Sequence, residues 1–240
     1  MTRPQLVAEK LKRLIKTRSP AVASLGRKIL NLPLLTKRPT QIFTEIYRSN
    51  KWGDPDSLSG SGSSLVQTES VRAALPSLIA ELKCRSLLDV PCGDFFWMRD
   101  VELLDIEYTG GDIVADLIAR NQRLYGGKGR RFVQVDLIND RLPRADLVLC
   151  RDCLVHLSYA HALCALNNIR ASGSEYLLTT TYSGRDRNSD VPTGSWRPIN
   201  LQLPPFQLPA PIRLIDEECP LESFRDKRLG LWRVADVPQF

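Results

Sequence analysis

Three acids close three apolar runs in this chain: Asp89 after Ser86-Leu87-Leu88, Asp112 after residues 107–111, and Asp136 after residues 131–135. Carboxylates accept hydrogen bonds from hydroxyls and amines and attract cations. Three of them delivered to one sheet edge define a pocket for a ligand rich in all three. The turn after Asp89, Val90-Pro91-Cys92-Gly93-Asp94-Phe95, narrows the choice. Asp112 lies 23 residues beyond Asp89, the spacing at which an acid receives the ribose hydroxyls of an adenosine ligand. A pyrophosphate would need G-x-G-x-x-G and free backbone N–H groups at a helix start. Pro91 has no N–H, and Asp94 adds an anion where a phosphate would sit. Two close anions in a poorly solvated cleft repel by several kcal/mol. S-adenosylmethionine, which has no phosphate and carries a net positive charge, fits this edge and a nicotinamide dinucleotide does not.

A second constellation follows the fourth apolar run: Cys150-Arg151-Asp152-Cys153 and then His156. His156, with an ordinary pKa near ~6.5, is the candidate general base. Asp152 could orient it or act as the base itself. Arg151 could hold an anionic acceptor or pair with a sheet-edge acid. Each also has a plainer role, fixing the loop by hydrogen bonds. Cys150-x2-Cys153-x2-His156 offers too few converging ligands for a closed zinc site, so no metal is expected. Trp52 and Ser61 upstream, and Trp196, Arg197 and Asn200 downstream, are candidate acceptor contacts; His161 reads as a surface residue.

Elements must bring these groups together. Apolar strands read at 86–90, 107–112, 131–136, 146–150 and 175–181, with helices at 95–104, 114–125 and 159–171. Ser158 caps the last helix and Gly173 ends it. Such alternation predicts an α/β fold, a doubly wound, mostly parallel sheet covered on both faces. A closing hairpin at 212–215 and 230–235 follows a proline-rich stretch. Upstream, 40–49 and 67–83 read as helices. The Gly/Ser-rich segment between them carries Trp52, which linkers seldom do, so it is expected to fold over the ligand as a lid with glycine hinges.

The net charge of +6 is lopsided. Residues 1–38 hold ten Lys or Arg against the single acid Glu9, a net +9, which leaves the rest of the chain at −3. The basic character therefore belongs to an arm, and the body offers no case for nucleic-acid binding. Leu6, Val7, Leu11, Leu14 and Ile15 recur at helical spacing in that arm. It is a candidate contact with the body, a protein partner or a membrane surface, or a cleaved organellar presequence. The division expected is 1–38 as arm and 39–240 as one domain, with 39–83 its lid and entry helix and 84–240 its core. Six cysteines, mostly inside apolar segments of a 240-residue chain, read as reduced thiols, hence a cytoplasmic protein. No apolar run approaches the ~20 residues of a membrane span.

From Lys51 to Tyr182 the chain resembles class I S-adenosylmethionine-dependent methyltransferases. The segments that carry the likeness are LLDVPCGDF, YTGGDIV, FVQVDL, ADLVLCRDCLVHL and YLLTTTY. KWG…SLSGSGS and TGSWRPINL resemble more closely a poorly characterised bacterial-type group associated with surface-sugar or secondary-metabolite pathways. The resemblance implies a seven-stranded Rossmann-like sheet whose last strand is antiparallel. It implies that Asp89 and Gly93 lie under the methionine portion of the cofactor, that Asp112 binds the ribose diol, and that Asp136 and Leu137 hold the adenine. Cys92, Asp94, Ile113 and Arg151 complete the expected cofactor contacts. Pro91 and Phe95 depart from the commoner glycines, while Cys92-Gly93-Asp94 matches a frequent variant. Enzymes of this fold that methylate nucleobase nitrogens usually carry Asn/Asp-Pro-Pro-aromatic where this chain has Cys150-Arg151-Asp152-Cys153. The expected reaction is O-methylation of a sugar or other small molecule. Alternatives are N-methylation of a small amine, or a non-catalytic module that binds a membrane or partner through residues 1–38.

Overall fold

The computed structural model describes residues 37–240; the expectations for the arm before them lie outside the described residues. Period-two alternation of apolar side chains organises the sheet. In β1 (Ser86–Asp89) and β4 (Leu147–Cys150), Leu87, Leu147 and Leu149 face one side, and Leu88, Val148 and Cys150 the other. The first face packs on α2 (Glu69–Glu81) through Leu75, Leu78 and Ile79. The second packs on α4 (Tyr159–Ala171) through Ala162, Ala165, Leu166 and Ile169. Strands hydrophobic on both faces are what a covered parallel sheet requires.

The remaining elements are α1 (Pro39–Arg48), β2 (Glu107–Asp112), α3 (Ala115–Tyr125), β3 (Arg130–Gln134), β5 (Tyr176–Tyr182), β6 (Arg213–Asp216) and β7 (Lys227–Arg233). The seven strands run in the order β3-β2-β1-β4-β5-β7-β6. The first five are parallel, and β7 inserts antiparallel between β5 and β6. The fold class is thus the expected one. Because β7 runs backwards, its first residue, Lys227, pairs with Tyr182 at the far end of β5. The hairpin therefore returns Lys227 and Glu217, which follows β6, to the edge where the parallel strands end.

Two expectations need correction. Residues 95–104 do not form a helix; a tight turn leads to one short 3-10 turn at Met98–Asp100. Phe95 has φ +59°, outside helical space, and its ring packs on Tyr108 and Phe132 at 5.2 and 5.1 Å. The apolar spacing that suggested a helix serves the core instead. The second hairpin strand also begins at Lys227, three residues before the expected start. No described helix is long and apolar enough to cross a membrane.

Candidate functional site

The turn after β1 is held from three directions. Cys92 N donates to Gly111 O at 2.8 Å, and Gly93 N to Asp112 Oδ2 at 3.2 Å. From α3, the buried Asn121 Nδ2 donates to Gly93 O at 2.7 Å. Asp112 Oδ1 also accepts from Val114 N at 2.9 Å, so backbone donors orient this carboxylate on both oxygens. Gly93 sits at φ +54°, and a Cβ there would lie 2.2 Å from Ser59 Oγ. Only glycine fits both demands.

Asp94, expected among the cofactor contacts, also has a structural role. Its carboxylate accepts from Leu58 N at 2.8 Å and from the hydroxyls of Ser57 and Ser59 at 3.0 and 3.2 Å. It therefore clamps the segment that precedes the 3-10 turn Ser61–Ser63. The same segment touches the sheet edge again where Gly62 O accepts from Arg151 Nη1 at 2.8 Å, and where the Trp52 ring lies 4.7 Å from that of His156. The loop expected to act as a lid is docked over the sheet edge by these five contacts.

Burial dominates the carboxylates beneath it. Asp89 is pushed up to about 7 by burial, against a 2.7 Å hydrogen bond donated by Tyr108. Asp112 is pushed up to about 6, again by burial, against its backbone donors. Asp136 accepts from Ile138 N and Asn139 Nδ2, both at 2.8 Å, and so shapes the turn that contains Leu137.

The end of β4 carries a buried charge network. Arg151 pairs with Glu217 at 2.6 Å and lies 3.3 Å from Asp152; Lys227 bridges Asp152 and Glu217 at 2.6 and 3.1 Å. Despite its burial, Asp152 is held down at about 2 by the ammonium of Lys227 and the guanidinium of Arg151. It is therefore a permanent anion and a poor proton acceptor. His156 differs. Its Nδ1 lies 2.9 Å from Ser195 O. A carbonyl can only accept, so Nδ1 carries the proton and Nε2 keeps a lone pair. Burial lowers its pKa from the ordinary value, keeping the ring neutral.

A cavity of about 370 Å³, within the range of small-molecule sites, runs beneath the lid. Asp89, Gly93, Asp112, Ile113, Asp136 and Leu137 line one half; Cys92, Asp94 and Arg151 also border it. Trp52, Ser61, Asp152, His156, Trp196 and Lys227 line the other. Arg197 and Asn200, expected at the acceptor, lie outside it. Arg197 donates to Leu154 O and Ser189 O, and Asn200 to Arg185 O, so both hold loop backbone from buried positions. His161 is half-buried, with Nδ1 2.7 Å from Thr193 Oγ1. Among the described residues, no group of three or more His, Cys, Asp or Glu is placed to hold a metal. Sequence reasoning missed Lys227, Tyr182 and Phe224 on the cavity wall and Glu217 behind it. Tyr182 ends the parallel strand β5, whereas Lys227, Phe224 and Glu217 are brought there only by the antiparallel return, which nothing local marks.

No family model and no curated protein matches the chain. Solved structures do. Human N-acetylserotonin methyltransferase, in complex with SAM, is 15% identical over 83% of this chain, with a TM-score of 0.56. This chain spans only 60% of that protein's length. Burkholderia thailandensis 1,6-didemethyltoxoflavin-N1-methyltransferase, with bound 1,6-didemethyltoxoflavin and S-adenosylhomocysteine, is 16% identical. That match covers 81% of this chain and 86% of the other, with a TM-score of 0.51. What is shared at these identities is the architecture, and the chain has the fold of S-adenosylmethionine-dependent methyltransferases.

Proposed function

We propose that the protein is an S-adenosylmethionine-dependent O-methyltransferase acting on a sugar or other small molecule, with His156 as general base. The observation that carries the reading is one cavity that joins strand-end carboxylates to a histidine whose Nε2 lone pair is free. The residues fit the cofactor. Asp112, fixed by two backbone donors, has lone pairs left for a ribose diol. The Asp89–Asp112–Asp136 end favours a cation over a phosphate. When bound, the cofactor supplies a methyl group on a positively charged sulfur.

This chain's own residues do the rest. The lid, held by Asp94 and Arg151, excludes water and fixes Trp52. Aligning the acceptor in this way is worth ~7–11 kcal/mol in well-oriented systems. His156 Nε2 takes the acceptor's hydroxyl proton, and its neutrality keeps it available at physiological pH. A base of this kind contributes ~10²–10⁴-fold. An amine acceptor, already nucleophilic, would need no such base. The six unpaired cysteines support work in the cytoplasm. A contact of residues 1–38 with a membrane or protein partner is a further part of the proposal, supported by their charge.

Calorimetry with S-adenosylhomocysteine tests the cofactor: wild type should bind and Asp112→Ala should not. Folded wild type that fails to bind overturns the reading. His156→Ala should keep that affinity yet lose ~10²–10⁴-fold in methyl transfer. A nearly unchanged rate would favour an amine acceptor instead.

A further inference from the structure

We propose that the acceptor is a flat aromatic hydroxy compound with its oxygens gathered on one edge. The inference rests on the methyl-transfer reading above and concerns the half of the cavity away from Asp112.

One aromatic arc runs along the cavity wall into that half. Phe43 of α1 packs on Trp52 of the lid at 6.2 Å, and Trp52 lies over His156 at 4.7 Å with 33° between the planes. The hydrogen bond from His156 to Ser195 O joins this group to the next residue, Trp196. Trp196 in turn meets Phe224 at 4.9 Å and Tyr182 at 6.2 Å, both near edge-on. All six rings line the same cavity. Aromatic faces of this kind hold a planar π-system by offset or edge-to-face contact.

Besides the rings, Ser61, Asp152, His156 and Lys227 bring polar atoms to this half. His156 Nε2 offers a lone pair. Lys227 Nζ, bridging Asp152 and Glu217, has a third proton left to donate. A sugar carries hydroxyls round its whole perimeter, and those turned to the aromatic arc would face carbon with no partner. A ring with oxygens on one edge avoids that: it gives one hydroxyl to His156 and sets a neighbouring oxygen against Lys227.

Isothermal calorimetry on the full chain, with and without S-adenosylhomocysteine, tests this using catechol, cis-cyclohexane-1,2-diol and methyl glucoside. The first two present similar hydroxyls on flat and puckered rings. Catechol should bind at least tenfold tighter than either saturated probe, about 1.4 kcal/mol. Trp196 is 40% exposed, so Trp196→Leu should fold, and it should cut that preference below threefold. Trp52→Leu should do the same from the opposite end of the arc. Equal or tighter binding of a saturated probe, binding of none of the three, or a preference unchanged in both variants overturns the proposal. A catechol preference without S-adenosylhomocysteine binding would leave the aromatic slot standing and remove the cofactor reading. The converse result would remove only the slot.

Discussion

Replacing Asp89 by Asn should flatten the protein's pH-dependent stability, and the size of the effect follows from the burial of that carboxyl. Asp89 is 3% exposed and is pushed from 3.8 up to about 7 by burial, against the Tyr108 hydrogen bond. An acid with a raised folded-state value holds its proton in the folded protein across a window, about pH 4 to 7, in which the unfolded chain has lost it. Stability therefore rises as pH falls through that window. Between pH 7.5 and 5.5, Asp89 alone should add about 2 kcal/mol, roughly 4–8 °C in Tm for a chain of this size. Asp112, raised to about 6, acts in the same direction, while His156, lowered by burial, acts in the opposite one. Both remain in the variant, so the difference between the two slopes isolates residue 89. Asn can still accept from Tyr108, but its buried NH₂ costs stability by an amount that does not vary with pH. The slope, and not the absolute Tm, is thus the quantity to measure. Thermal unfolding followed by circular dichroism at pH 5.5, 6.5 and 7.5, without ligand, suffices. Parallel slopes for the two proteins would refute a titrating Asp89 and the buried acidic edge built on it.

Two other perturbations probe the lid and the charge network. Gly93→Ala meets both a left-handed φ, costing about 1–2 kcal/mol, and a Cβ 2.2 Å from Ser59 Oγ. S-adenosylhomocysteine affinity should fall at least tenfold by calorimetry, and adding Ser59→Gly should recover only the steric part; wild-type affinity in the single variant would show that the lid does not press on this turn. Lys227→Met leaves Asp152 and Glu217 sharing only Arg151 in a nearly dry site, where Glu217 is 1% exposed. Breaking such a buried pair should cost about 3–5 kcal/mol in urea unfolding, and a loss under about 1 kcal/mol would mean the four charges are solvated.

What could be read from the chain, and what could not, divides along the sheet. The parallel strands declare themselves as short apolar runs, and each acid ends one or, like Asp136 after Gln134, lies two residues past it, so Asp89, Asp112, Asp136 and the Arg151–His156 loop were legible in the chain itself. Asp94 was legible as an acid but not as a clamp, because its partners Ser57 and Ser59 lie 37 and 35 residues away. Arg197 and Asn200 looked like binding residues because a buried polar side chain and a ligand-facing one have the same composition; only their hydrogen bonds to loop carbonyls separate the two. Lys227 stands 75 residues from Asp152 and meets it through strand topology alone. That meeting bears on the proposed chemistry, since Lys227 with Arg151 holds Asp152 ionised, which in the reading proposed above leaves the role of base to His156 Nε2. The Asp89–Asp112–Asp136 edge is therefore written locally in the strands, whereas the wall that carries Trp52, Phe224 and Lys227 is assembled by the Gly/Ser-rich loop and the antiparallel return.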